Sequence, residues 1–129
     1  MDPARLKSIP LFAELTDHER EQIGRWADEV DVLEGKHLVD EGQFAYEFFV
    51  IEQGTAQVRH GDDVIAELGP GDFFGEIALV EHVRRTASVV ATSPMRAIVM
   101  FGRDFRAMEG EMPAVAARIT QAIEDRKNR

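Results

Sequence analysis

The chain has 129 residues, 44% of them hydrophobic, and a formal charge of −9 from 15 basic and 24 acidic side chains. That size and composition support one folded unit, 1–129, with a real core, and exclude compositional disorder. The acidic balance argues against a broad nucleic-acid surface, and the absence of cysteine excludes a disulfide framework and a Cys-based zinc site.

The N-terminus, MDPARLKSIP, lacks the apolar core of a signal peptide. No run approaches the ~20 apolar residues of a membrane span. The expectation is a cytoplasmic protein with neither membrane nor nucleic acid as partner. Residues 1–28 read as helical. Leu11, Phe12 and Leu15 form an apolar knot after Pro10. Thr16 is placed to cap a helix, with Glu19 three residues on completing a capping box. Ile23, Trp26 and Ala27 then fall on one face of that helix.

From about residue 30 to 101 the signals change. Short runs rich in Val, Ile and Phe (VDVL, HLVD, EFFVIEQ, AQVRH, DVIAEL, RTASVVAT, MRAIVMF) alternate with glycine turns. This spacing predicts an all-β sandwich, barrel or jelly roll. Gly61-Asp62-Asp63 predicts a tight hairpin turn between AQVRH and VIAEL. Residues 102–127 return to helical patterning, with Gly110 and Pro113 separating a short helix from the next. Val115, Ile119, Ala122 and Ile123 make the apolar stripe of the last helix, and its tail DRKNR puts cations near the helix C-terminus, where they suit the dipole.

The stretch GDFFGEIALVEHVRRTASVV carries chemistry that a core strand does not need. Gly75 lacks a Cβ and lets the backbone approach whatever lies opposite. EIALV reads as one helical turn, whose N-terminal N–H groups favour an anion. Glu76 is a poor phosphate ligand but a good acceptor for a sugar hydroxyl. Arg85 supplies a planar fork matched to phosphate, and Thr86 a hydroxyl beside it. Salt screens charge beyond roughly 8 Å, so the net acidity of the chain does not forbid such a local site. Together these residues describe a site for a phosphorylated ribose.

FGEIAL followed by RRTASV resembles the phosphate-binding cassette of cyclic nucleotide-binding domains, here residues 74–89. The pattern is F-G-E-hydrophobic-A-L, a variable loop, then R-[small or Thr]-A-[Ser/Thr]-V. The order of N-terminal helices, β-rich centre and closing helices resembles the family over the whole chain. The resemblance implies a mainly β fold: a double-stranded β-helix, or jelly roll, of about eight strands (30–101) flanked by helices at 1–28 and 102–127. It implies a ligand site at Phe74, Gly75, Glu76, Ile77, Ala78, Arg85, Thr86 and Ala87. Glu76 is similar to the carboxylate that accepts the ribose 2′-hydroxyl, and Arg85 to the arginine that pairs with the cyclic phosphate. Amides near Gly75, Ile77 and Ala78 would add contacts to phosphate and sugar. The ligand implied is cyclic AMP, favoured over cyclic GMP, although a threonine at the Thr86 position helps select cyclic GMP in some relatives. Arg84 departs from the proline common there and reads as a solvated charge.

The bland alternatives are specific. Glu76 alone is equally a helix N-terminal cap. The Val115/Ile119/Ile123 stripe is core packing rather than a lid over the base. His18, His37, His60 and His82 are scattered, with no His-x-His pair, so no metal is expected. No nucleophile motif such as G-x-S-x-G occurs, so no enzyme is expected. The expected function is a stand-alone sensor that signals by moving its C-terminal helices, through a protein partner or a homodimer. The alternatives are a scaffold with an empty or different anion pocket, a sensor fragment of a larger regulator, and, least favoured, a DNA-binding regulator.

Overall fold

A computed structural model describes residues 2–43, 47–75 and 85–127. Three short helices open the chain: α1 (Pro3–Leu6), α2 (Pro10–Ala13) and α3 (Asp17–Trp26). Eight strands follow among the described residues: β1 (Ala27–Val32), β2 (His37–Val39), β3 (Glu47–Gln53), β4 (Ala56–His60), β5 (Asp63–Leu68), β6 (Phe73–Phe74), β7 (Ser88–Ala91) and β8 (Met95–Phe101). Helices α4 (Gly102–Glu111) and α5 (Pro113–Lys127) close it.

The strands form two four-stranded sheets, ordered β1-β8-β3-β6 and β2-β7-β4-β5. Every pairing is antiparallel. The first sheet explains why EFFVIEQ and MRAIVMF are nearly continuous apolar runs rather than alternating ones. Successive side chains point to opposite faces, and both faces are covered. Phe48, Val50, Ile98 and Met100 face the helices, in one core with Leu6, Phe12, Ile23, Phe105, Met108, Val115 and Ile119. Phe49, Ile51, Ala97 and Val99 face the second sheet, in another core with Val39, Ala56, Leu68, Val89 and Ala91. The fold is thus mainly β, a jelly roll with flanking helices.

The capping box forms as the sequence predicts. Glu19 N–H donates to Thr16 Oγ1 at 3.1 Å, and Thr16 N–H donates to Glu19 Oε1 at 2.9 Å. Arg20 is buried beneath it, and its guanidinium donates to the carbonyls of Phe12, Ala13 and Leu15 while pairing with Asp17. It thereby adds a donor to the carbonyls at the end of α2 and in the turn that follows it.

Three expectations shift. Ala27 is not on the α3 face but opens β1, with extended φ −108 and ψ 144. Gly110 lies inside α4; the break falls at Met112, and Pro113 opens α5. The β4–β5 turn is Gly61-Asp62 alone, since Asp63 already pairs with His60. Within the predicted stripe of α5, Val115 and Ile119 are buried, while the side chains of Ala122 and Ile123 lie outside the described ones, as does the DRKNR tail beyond Asp125. No helix among the described residues is long and apolar enough to cross a membrane.

Candidate functional site

The residues around Arg85 are brought together from both sheets. Arg85 immediately precedes the turn into β7 and is only 7% exposed. Its main chain is tied to the turn after β2: Arg85 N–H donates to the Gln43 carbonyl at 2.6 Å, and Gly42 N–H donates to the Arg85 carbonyl at 2.9 Å. Its side chain crosses to the first sheet, where Nη2 donates to the carbonyl of Glu47, the first residue of β3, at 2.6 Å. That bond fixes the plane of the guanidinium, which bidentate recognition of an anion requires.

Gly75 completes the corner. It follows β6, whose Phe74 is in register with Phe49 on β3. Its φ is +78, and a Cβ there would lie 2.6 Å from the Glu47 carbonyl oxygen and 2.8 Å from Arg85 Nη1. Gly75 is therefore required twice, for its backbone angle and for the room that Arg85 occupies. Gly75→Ala should destabilise the fold by more than the roughly 1–2 kcal/mol that left-handed backbone alone costs a residue with a Cβ, because the Glu47 carbonyl must also give way. The drop is measurable by urea unfolding.

Of the other predicted site residues, Phe74 is buried in the core between the sheets, its ring stacked on Phe49 with centroids 5.0 Å apart. It supports the corner from beneath. Thr86 is exposed and Ala87 half-buried, both on the turn that leads from Arg85 into β7. Glu76, Ile77 and Ala78 lie outside the described residues, as do the EIALV turn and Arg84.

Two contributors were not legible as site residues. Glu47 acts through its carbonyl, to which sequence is blind. The Glu41–Gln43 turn acts through its main chain, although Glu41-Gly42 does read as a turn. Beside the corner, Val30, Val32, Leu38, Phe49 and Val99 line a cavity of about 410 Å³ between the β1 and β2 edges of the two sheets, which Glu47 also borders. Among the described residues no group of three or more His, Asp or Glu side chains is arranged to hold a metal ion.

The described half of the site is thus a buried arginine seated against a glycine of positive φ where the two jelly-roll sheets meet. The family model for the cyclic nucleotide-binding domain matches residues 29–110. The chain belongs to the cyclic nucleotide-binding domain family. Its sequence is 31% identical over 122 residues to a cAMP-dependent protein kinase regulatory subunit of Mycosarcoma maydis, an alignment covering 88% of this chain and 23% of that subunit. The chain spans between 23% and 30% of the length of the first curated relatives it matches. Its fold superposes on the Thermus thermophilus catabolite activator protein with a TM-score of 0.80 at 25% identity, covering 92% of this chain and 58% of that one. It superposes on a cyclic nucleotide-binding domain from Methylobacillus flagellatus with a TM-score of 0.82 at 21% identity, covering 97% and 75%.

Proposed function

We propose that this chain is a cytoplasmic cyclic nucleotide sensor, a binding module rather than an enzyme, in which residues 1–129 act as one unit. The buried Arg85, its guanidinium held in plane by the Glu47 carbonyl and seated against Gly75, carries the reading. Arg85 pairs with the cyclic phosphate. Glu76 accepts the ribose 2′-hydroxyl, amides of the Gly75–Ala78 segment add contacts, and Phe74, Thr86 and Ala87 complete the wall. Cyclic AMP is the favoured ligand. Support for it comes from the similarity to regulatory subunits of cAMP-dependent kinases, including those of Hypocrea atroviridis and Mycosarcoma maydis.

The output runs through the C-terminal helices. Phe105 and Met108 of α4 and Val115 and Ile119 of α5 share one core with Phe48 and Val50 of β3, the strand whose first carbonyl anchors Arg85. Ligand that stabilises one seating of β3 biases how those helices pack, a population shift read by a protein partner or a second copy.

The test is thermal unfolding with cyclic AMP, cyclic GMP and, as control, 5′-AMP. Ligand at ~100 times its dissociation constant adds about 2.7 kcal/mol. For a domain of this size that is a rise of roughly 3–6 °C. The expected order is cyclic AMP above cyclic GMP, with 5′-AMP inert. No shift with either cyclic nucleotide at millimolar concentration would remove the reading.

A further inference from the structure

The segment after Arg85 is held by more than its own strand. Glu41, in the turn after β2, is the hub. Its N–H donates to Ser88 Oγ at 2.9 Å, and its Oε1 accepts from Gly61 N–H in the β4–β5 turn at 3.2 Å. His60, the last residue of β4, brings Nδ1 to 3.1 Å from the same Glu41 oxygen and to 3.2 Å from the carbonyl oxygen of Thr86. Both neighbours of that nitrogen are acceptors, so Nδ1 carries a proton and donates to them jointly. In a trans peptide the N–H points opposite to the C=O. Fixing the Thr86 carbonyl on His60 therefore fixes the direction of the Ala87 N–H, within the segment assigned to the cyclic phosphate.

We propose that His60 is a positioning residue for the anion site: its Nδ1–H, shared between the Thr86 carbonyl and the Glu41 carboxylate, sets the orientation of the Thr86–Ala87 peptide. This rests on the cyclic nucleotide reading above. The role is independent of bulk, because the His60 side chain is 67% exposed and contributes little to either core. It is also separable from charge, since both the neutral Nδ1–H tautomer and the imidazolium supply the bond.

The experiment measures cyclic AMP affinity by calorimetry, and amide exchange of residues 85–88 without nucleotide, for the full chain and for His60→Ala and His60→Asn. Asparagine keeps a donor near the position of Nδ1; alanine removes it. His60→Ala should weaken binding roughly three- to ten-fold, the worth of one hydrogen bond, and speed exchange of that segment. Its melting temperature without nucleotide should stay within about 2 °C of the parent, as for a surface substitution. His60→Asn should recover affinity to within about two-fold and restore slow exchange. Parental affinity and exchange in His60→Ala, or an asparagine variant as impaired as the alanine one, would overturn the proposal. If the parent binds no cyclic nucleotide, the functional reading falls, and the exchange of residues 85–88 still decides whether His60 holds that segment.

Discussion

Arg85→Ala is expected to abolish the cyclic nucleotide response. Removing one partner of a buried, hydrogen-bonded charge pair costs on the order of 2–5 kcal/mol, about 30- to 4,000-fold in affinity. The change also acts without ligand, because the Glu47 carbonyl loses the donor that lies 2.6 Å away. An unsatisfied carbonyl in that part-buried place costs about 1–3 kcal/mol. Loss of binding must therefore be separated from loss of fold. Arg85→Lys does this: it keeps the charge but not the planar fork, so it should hold most of the stability and still lose roughly ten- to fifty-fold in affinity. Calorimetry with cyclic AMP, paired with urea unfolding of each variant, reads the two effects apart. A lysine variant that binds like the parent would show that the anion needs a cation at this corner but not a guanidinium. An alanine variant that binds like the parent would move the site away from Arg85.

The contrast between Arg85 and His60 also marks what sequence can carry. Patterns that act through side-chain type and spacing were legible. The Thr16/Glu19 capping box, the apolar runs that form β3 and β8, and the position of the β4–β5 hairpin, though one residue shorter than the Gly61-Asp62-Asp63 turn expected, all follow from residue identity. What was not legible acts through the main chain or across the fold. Glu47 contributes a carbonyl, Glu41 an N–H as well as a carboxylate, and Arg20 binds carbonyls rather than an acid alone. Their side chains look like ordinary surface charges in a chain with 24 acidic residues. The misplaced helix break has a similar cause: glycine weakens a helix by about 1 kcal/mol and does not end it, so packing of Phe105 and Met108 carries α4 past Gly110.

Glu52 is the other residue that composition hides, and its replacement by glutamine should make the protein more stable at alkaline pH. Ile51 pairs with Ala97 and Gln53 with the adjacent Arg96, so Glu52 is the extra residue of a β-bulge in β3. Its side chain is 10% exposed and shares a cluster with Glu29 on β1, Arg96 on β8 and Arg5 on α1. Arg5 lies 3.1 Å from Glu29 but 3.8 Å from Glu52, and Arg96 turns its Nε to Asp31 at 3.0 Å. Neither cation is committed to Glu52, and its Oε1 is buried without a hydrogen-bond partner. Burial, then the hydrogen bond and the charge of Glu29, raise its pKa from the ordinary 4.5 to about 7, against the pull of Arg5 and Arg96. Two carboxylates can share a hydrogen bond only if one holds a proton, so protonated Glu52 is the comfortable state. The folded-state pKa is raised, so the favourable contribution is complete below the unfolded value of 4.5 and is lost as pH rises through about 7. Above that, ionised Glu52 costs on the order of 3 kcal/mol. Glutamine supplies the N–H that mimics the protonated acid and cannot ionise. Denaturant unfolding of the parent and Glu52→Gln at pH 5 and pH 8 should therefore give near-equal stabilities at the lower pH and an advantage of about 2 kcal/mol to the variant at the higher. Glutamine alters only this cluster, so the difference between the curves reports Glu52 together with its neighbour Glu29. Parallel curves across that range would mean that Arg5 and Arg96 already compensate the ionised pair. The bulge would then fix the geometry of β3 without binding a proton.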